Sequence, residues 1–225
     1  FGPAFRALRG AGQSDRASSP LSTPILRDDH GKMFQDSQRI LMYLSERFSN
    51  PRDTLYSTDE AAQLEREFHD QLGPYTRRLA YIYLLQDRKT CLTLAKNNVS
   101  SSQTRLLTLI FPLWKRALKK ALKAFPQRKD QAIEKIEQAL TKVAQKLGDG
   151  RPYLLGEQFS AADLSFACMI APALSISKED GYGATMPQLG SFFQEYLEYT
   201  QRWRESTAGQ FALRMFQQEK QPRTS

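Results

Sequence analysis

The sequence predicts a mostly helical protein with a small α/β part at its beginning. Three observations predict this. Two strand-like runs, Thr23-Pro24-Ile25-Leu26 and Lys32-Met33-Phe34, flank the polar turn Asp28-Asp29-His30-Gly31. Apolar residues recur at helical spacing through nearly everything after Ser57. Between these parts lies Ser49-Asn50-Pro51-Arg52-Asp53, a helix-ending, linker-like stretch.

Taken in order, Phe1, Phe5 and Leu8 share one face of a short helix that stops at Gly10-Ala11-Gly12. Residues 10 to 22 are rich in Gly, Ser, Pro and charge and read as a loop. After the hairpin, Asp36 and Ser37 open a helix with Ile40, Leu41, Tyr43, Leu44 and Phe48 at helical period. Thr58 caps a long helix running to about Gln86, which Gly73-Pro74 kinks or splits. A second helix runs from about Ser102 to Phe125. In it Leu106, Ile110, Trp114, Ala117, Leu118, Ala121 and Phe125 form the expected buried stripe, opposite the lysines. A third runs from about Gln127 to Leu147 and ends at Gly148-Asp149-Gly150. Ser160-Ala161-Ala162-Asp163 starts a very apolar helix reaching about Ala173. Amphipathic stretches near 189–204 and 208–219 complete the chain, with no internal repeat.

Composition narrows the function classes. Hydrophobic residues are 40% and charged residues 25% of 225, as in ordinary globular proteins. No apolar run approaches the roughly 18 residues that a membrane span needs. Cys91 and Cys168 lie 77 positions apart with no CxxC or Cys/His cluster, which argues against a zinc site and fits a reducing compartment. Cys168, in Phe166-Ala167-Cys168-Met169-Ile170, is expected to be a buried, inert thiol. His30 belongs to a solvated turn, and His69, beside Asp70 on a helix, to a surface or interface. Neither histidine sits in a recognisable nucleophile motif, so a triad is not indicated. The net charge of +8 owes much to five cations between Lys115 and Lys123. No nucleic-acid motif accompanies them, and nucleic acid is not expected as a partner. A solvated face is the ordinary reading of that cluster; docking to anionic lipid or an acidic protein stays open.

Three segments together carry a family resemblance. Thr23-Pro24-Ile25-Leu26, followed by Asp36-Ser37 with Ile40 and Tyr43-Leu44, resembles the "PxL … (E/D)S … I … YL" pattern of glutathione S-transferases. Gly150-Arg151-Pro152-Tyr153-Leu154-Leu155-Gly156 with Phe159-Ser160-Ala161-Ala162-Asp163-Leu164 is similar to the "YLxG … FSxADL" of their helical domain. Residues 72–78 and 207–214 look like a bacterial and algal branch of the same family. The resemblance implies a partial thioredoxin-like domain over residues 1–50, followed by an all-α C-terminal bundle over 57–225.

The resemblance also assigns roles. It implies a cis peptide before Pro24, with Ile25 offering main-chain bonds to the cysteine of glutathione. By themselves Asp36 and Ser37 are helix caps; the resemblance makes them partners for the γ-glutamyl end, at a helix N-terminus. It places Tyr75, Arg78 and Tyr81 along the pocket of a small electrophilic second substrate, although core packing is their ordinary role. Ser160 and Asp163 it leaves purely structural. The residue that activates the thiol, a Tyr, Ser or Cys in this family, is expected before Phe1, and Ser14, Ser18 and Ser19 are not candidates. Two functions are therefore expected in competition. One is glutathione conjugation or thiol transfer, with glutathione as co-substrate and no metal. The other is a non-catalytic subunit that docks to a larger assembly through its basic helix face. A homodimer, peripheral membrane contact, and a cytoplasmic or organellar (including plastid) location are compatible with either.

Overall fold

The computed structural model of the chain describes residues 24–48, 55–98, 100–183 and 193–219. The expected first helix, the loop over 10–22 and the linker at 49–53 lie outside these residues. The described fold is mostly α with a small α/β part. Its two strands, β1 (Ile25–Arg27) and β2 (Met33–Gln35), form an antiparallel hairpin with Leu26 opposite Phe34. The turn between them follows from its residues. Gly31 takes φ +84°, and its amide donates to the Asp28 carbonyl at 3.1 Å. The Asp28 carboxylate accepts from the His30 and Lys32 amides at 3.0 and 2.7 Å, an Asx turn closed by the left-handed glycine.

Helix α1 (Ser37–Phe48) follows the hairpin directly. Thr58 caps α2 (Asp59–Glu67), its hydroxyl accepting from the Ala61 amide. The chain then passes through one π-helical turn, Phe68–Leu72, into α3 (Gly73–Leu84). That wide turn accommodates Pro74, which has no amide to donate, so the helix widens rather than breaks. Helix α4 (Arg88–Asn98) was not anticipated from the sequence. It leads to α5 (Ser101–Leu122), α6 (Lys129–Lys146), α7 (Ala161–Ile170), α8 (Gln194–Glu205) and α9 (Thr207–Arg214).

The core surrounds α7, whose Ala162, Phe166, Ala167 and Ile170 are buried among Leu64, Phe68 and Leu72 and against Phe211 of α9. Asp163 anchors its start. Its carboxylate, itself fully buried, accepts from the amides of Leu154 and Ser160 at 2.7 and 2.8 Å and from the Ser160 hydroxyl at 2.6 Å. A buried carboxylate is tolerated because each bond satisfies a donor that would otherwise be orphaned. The structural role expected for Ser160 and Asp163 is what the geometry shows. Close approach of α3 to α7 is completed by the Thr76 hydroxyl, which donates to the Met169 carbonyl at 2.7 Å.

Two expectations are corrected. On α5 the core-facing residues are Thr104 and Phe111, which are buried, and the half-buried Trp114 and Leu118. Leu106, Ile110, Ala117, Ala121 and Phe125 are exposed instead. The helix carries two apolar rows at the same period, and the expected stripe joins members of both: Trp114 and Leu118 from the inner row, the exposed residues from the outer. Cys168 is likewise exposed, not buried. It stands on the wall of an apolar cavity of about 360 Å³ with Phe159, Leu164 and Phe216, and partial desolvation of its sulfur beside these apolar neighbours raises its thiol pKa.

At the corner between α8 and α9 two stretches of backbone approach closely. Ser206 turns the chain by donating to the Trp203 carbonyl at 2.7 Å and accepting from the Gly209 amide at 3.1 Å. A β-carbon on Gly209 would lie 1.9 Å from the Trp203 carbonyl oxygen, a main-chain atom that cannot step aside. Gly209→Ala should therefore cost about 3 kcal/mol. Thermal melts should show the midpoint falling by roughly 6–12 °C, whereas Gly150→Ala, where the space is open, pays only for its left-handed φ.

Candidate functional site

The site candidate begins with the register of the hairpin. The Asp36 amide donates to the Pro24 carbonyl at 3.3 Å, and the Asp28 amide to the Lys32 carbonyl at 2.9 Å. With Ile25 paired to Gln35, that single bond to Pro24, which has no amide to return one, lies on one side of the pair, and the bonded pair Leu26–Phe34 lies on the other. Ile25 is then a non-hydrogen-bonded position of the ladder, and its own N–H and C=O point away from β2. They face an edge that no described strand covers. Pro24 is exposed; the Thr23–Pro24 bond involves a residue outside the described ones.

The same hydrogen bond fixes the start of α1. Asp36 has φ +89°, in the left-handed region that a non-glycine residue adopts at a cost. Its Oδ1 accepts from the Gln38 amide at 3.0 Å, and its carbonyl accepts the first helical bond, from the Ile40 amide. Asp36 is thus the N-cap, and its carboxylate uses one oxygen for the helix. Ser37 follows at the first helical position, half-buried, and no described residue hydrogen-bonds its amide or hydroxyl. The open amide and the hydroxyl at a helix N-terminus suit a carboxylate ligand.

A residue missed by sequence reasoning joins this end to the helical part. Glu65 of α2 is 2% exposed. It accepts from Gln38 Nε2 at 2.5 Å. Burial pushes its carboxyl above the usual range, and the nearby Asp36 charge adds to the rise; donors from Gln38 and Tyr56 and the proximity of His69 oppose it. His69, expected at a surface or interface, is half-buried near this carboxylate. The signal for Glu65 was present in the chain, since Ala61, Leu64, Glu65 and Phe68 fall on one helical face.

Tyr75, Arg78 and Tyr81 share one stretch of α3. Arg78 is buried, its guanidinium 4.6 Å from the Tyr75 ring centroid, and its Nε donates to the Leu122 carbonyl at 3.4 Å. Tyr81 packs against the core, and burial raises its phenol pKa. Arg78 therefore joins α3 to the end of α5, with the Tyr75 ring against its guanidinium. His30 is in the exposed turn, as expected. Among the described residues no group of three or more His, Cys, Asp or Glu is placed to hold a metal. No helix among them is long and apolar enough to cross a membrane.

An all-helical bundle built on a buried Ser–Asp cap, preceded by a hairpin and helix, defines a class of fold. Residues 126–198 match the family model "Glutathione S-transferase, C-terminal domain". The matched segment spans α6, the Tyr153–Gly156 turn, α7 and the beginning of α8, about a third of the chain, and is similar to the helical domain of that family. No curated protein matches it significantly.

The strain at Asp36 gives a test of the site's geometry. Asp36→Ala loses the cap and keeps the left-handed backbone, and should cost about 1–2 kcal/mol. Asp36→Gly loses the same cap but relieves the backbone, and should stay within about 1 kcal/mol of the parent. Urea denaturation of both variants checks the order; equal losses would mean that the φ carries no strain.

Proposed function

We propose that the hairpin and the N-terminus of α1 form a glutathione site. The observation that carries this is the outward main chain of Ile25, held one residue from the bond that also sets Asp36 and Ser37. An extended tripeptide can add to such an edge through its cysteinyl N–H and C=O, as an additional strand would. Its γ-glutamyl carboxylate then meets the Ser37 hydroxyl and amide, and its ammonium meets the second oxygen of Asp36. Glutathione is thereby fixed at both its main chain and one end, which orients the thiol.

The reaction class that this supports is attack of the glutathione thiolate on a small electrophile, or thiol transfer. The group that lowers the thiol's pKa comes from outside residues 24–48. Tyr75 and Tyr81 are proposed for the second-substrate side, through the exposed parts of their half-buried rings, with the buried Arg78 holding the Tyr75 ring from behind. Residues 1–50 and 57–225 are the proposed units of this two-part protein, in a reducing compartment consistent with two free cysteines. The competing reading, a docking subunit without catalysis, predicts no thiol-peptide binding at all.

Retention of the full-length protein on immobilised glutathione separates the two. The proposal expects retention, elution by free glutathione, and at least about ten-fold weaker binding for Ser37→Ala, as loss of a charge-assisted hydrogen bond implies. No retention of the parent protein would favour the docking reading.

A further inference from the structure

The segment from residue 88 to 129 concentrates the basic charge of the chain. It holds 11 of the 32 basic residues and none of the 24 acidic ones, so acidic residues outnumber basic ones in the remainder. Within it, α5 turns four large aliphatic side chains outward. Leu106 is 57% exposed, Leu109 79%, Ile110 38% and Leu113 67%. Spaced by three and four residues, they lie on one stripe about 10 Å long, facing away from the inward row of Thr104, Phe111 and Leu118. Arg105, Arg116, Lys120 and Lys123 are exposed, follow the same period along an edge of that stripe, and form no ion pair with a described residue. No described residue covers the stripe, although the opposite face of the same helix is packed.

We propose that α5 docks the protein on an anionic phospholipid bilayer. The leucine stripe enters the boundary between headgroups and acyl chains, while the flanking arginines and lysines pair with lipid phosphates. Charge and apolar surface occur together, and this combination selects the partner. Nucleic acid would engage the cations and leave the leucines in water. A second copy would cover the leucines but bring two rows of uncompensated cations alongside each other. A protein groove typically takes aromatic anchors, and this stripe is purely aliphatic. The helix lies on the membrane and does not cross it, which agrees with its length of polar and charged residues beyond Leu113.

Co-sedimentation of the full-length protein with vesicles tests this, with phosphatidylcholine alone or mixed with phosphatidylserine. The expected result is sedimentation with the mixed vesicles only, reversed by added salt. Binding should weaken at least about ten-fold in Leu109→Ser/Leu113→Ser and in Arg116→Gln/Lys120→Gln. All four side chains are exposed, and unchanged circular dichroism confirms that the variants fold. Absence of sedimentation with mixed vesicles overturns the proposal. So does a Leu109→Ser/Leu113→Ser variant that sediments like its parent, since the cations alone would then suffice for any polyanion. A solution dimer that this variant splits, with no vesicle binding by the parent, assigns the stripe to a second copy instead.

Discussion

The hydrogen bond from the Asp36 amide to the Pro24 carbonyl is the constraint on which the candidate site rests. Because strand pairing has a period of two, that bond decides which main-chain groups serve the hairpin and which face outward. A slip of one residue would turn Ile25 inward and commit its N–H and C=O to β2. It would also shift the residue that begins α1, so the edge and the helix end are set together. The tight Asx turn at Asp28, closed by Gly31, holds the register from the other end.

The helical part supplies a rigid floor for this small element. Buried Asp163 ties the start of α7 to the turn before it, and Thr76 ties α3 to the end of α7. Gln38 then reaches from the first turn of α1 to the buried Glu65. That bond spans the two parts of the protein within a short distance of Asp36 and Ser37. A ligand that adds charge at this helix end would therefore act on a carboxylate already strained by desolvation, as well as on exposed groups.

Much of this was legible in the residues. Thr58, Ser160 and Asp163 announced their helix starts through cap chemistry, and the polar turn at 28–31 announced the hairpin, because these signals are local. The helix Arg88–Asn98 escaped because its Thr, Lys and Asn residues give little periodic contrast. The faces of α5 were confused because Leu106 and Ile110 repeat at the same period as Phe111 and Leu118, and period alone does not say which row meets the core. The exposure of Cys168 depends on how α7 meets the segments around Tyr182 and Phe216, which no local pattern encodes. The left-handed Asp36 was invisible because aspartate tolerates that conformation without a glycine to mark it.

Amide chemical shifts of the ¹⁵N-labelled full-length protein, followed while glutathione is added, test the central claim most directly. The account predicts that the amides of Ile25, Ser37 and Gln38 move together with one saturation curve, while those of α6 stay still. Unmoved signals at Ile25 and Ser37, or changes confined to the cavity beside Cys168, would contradict it.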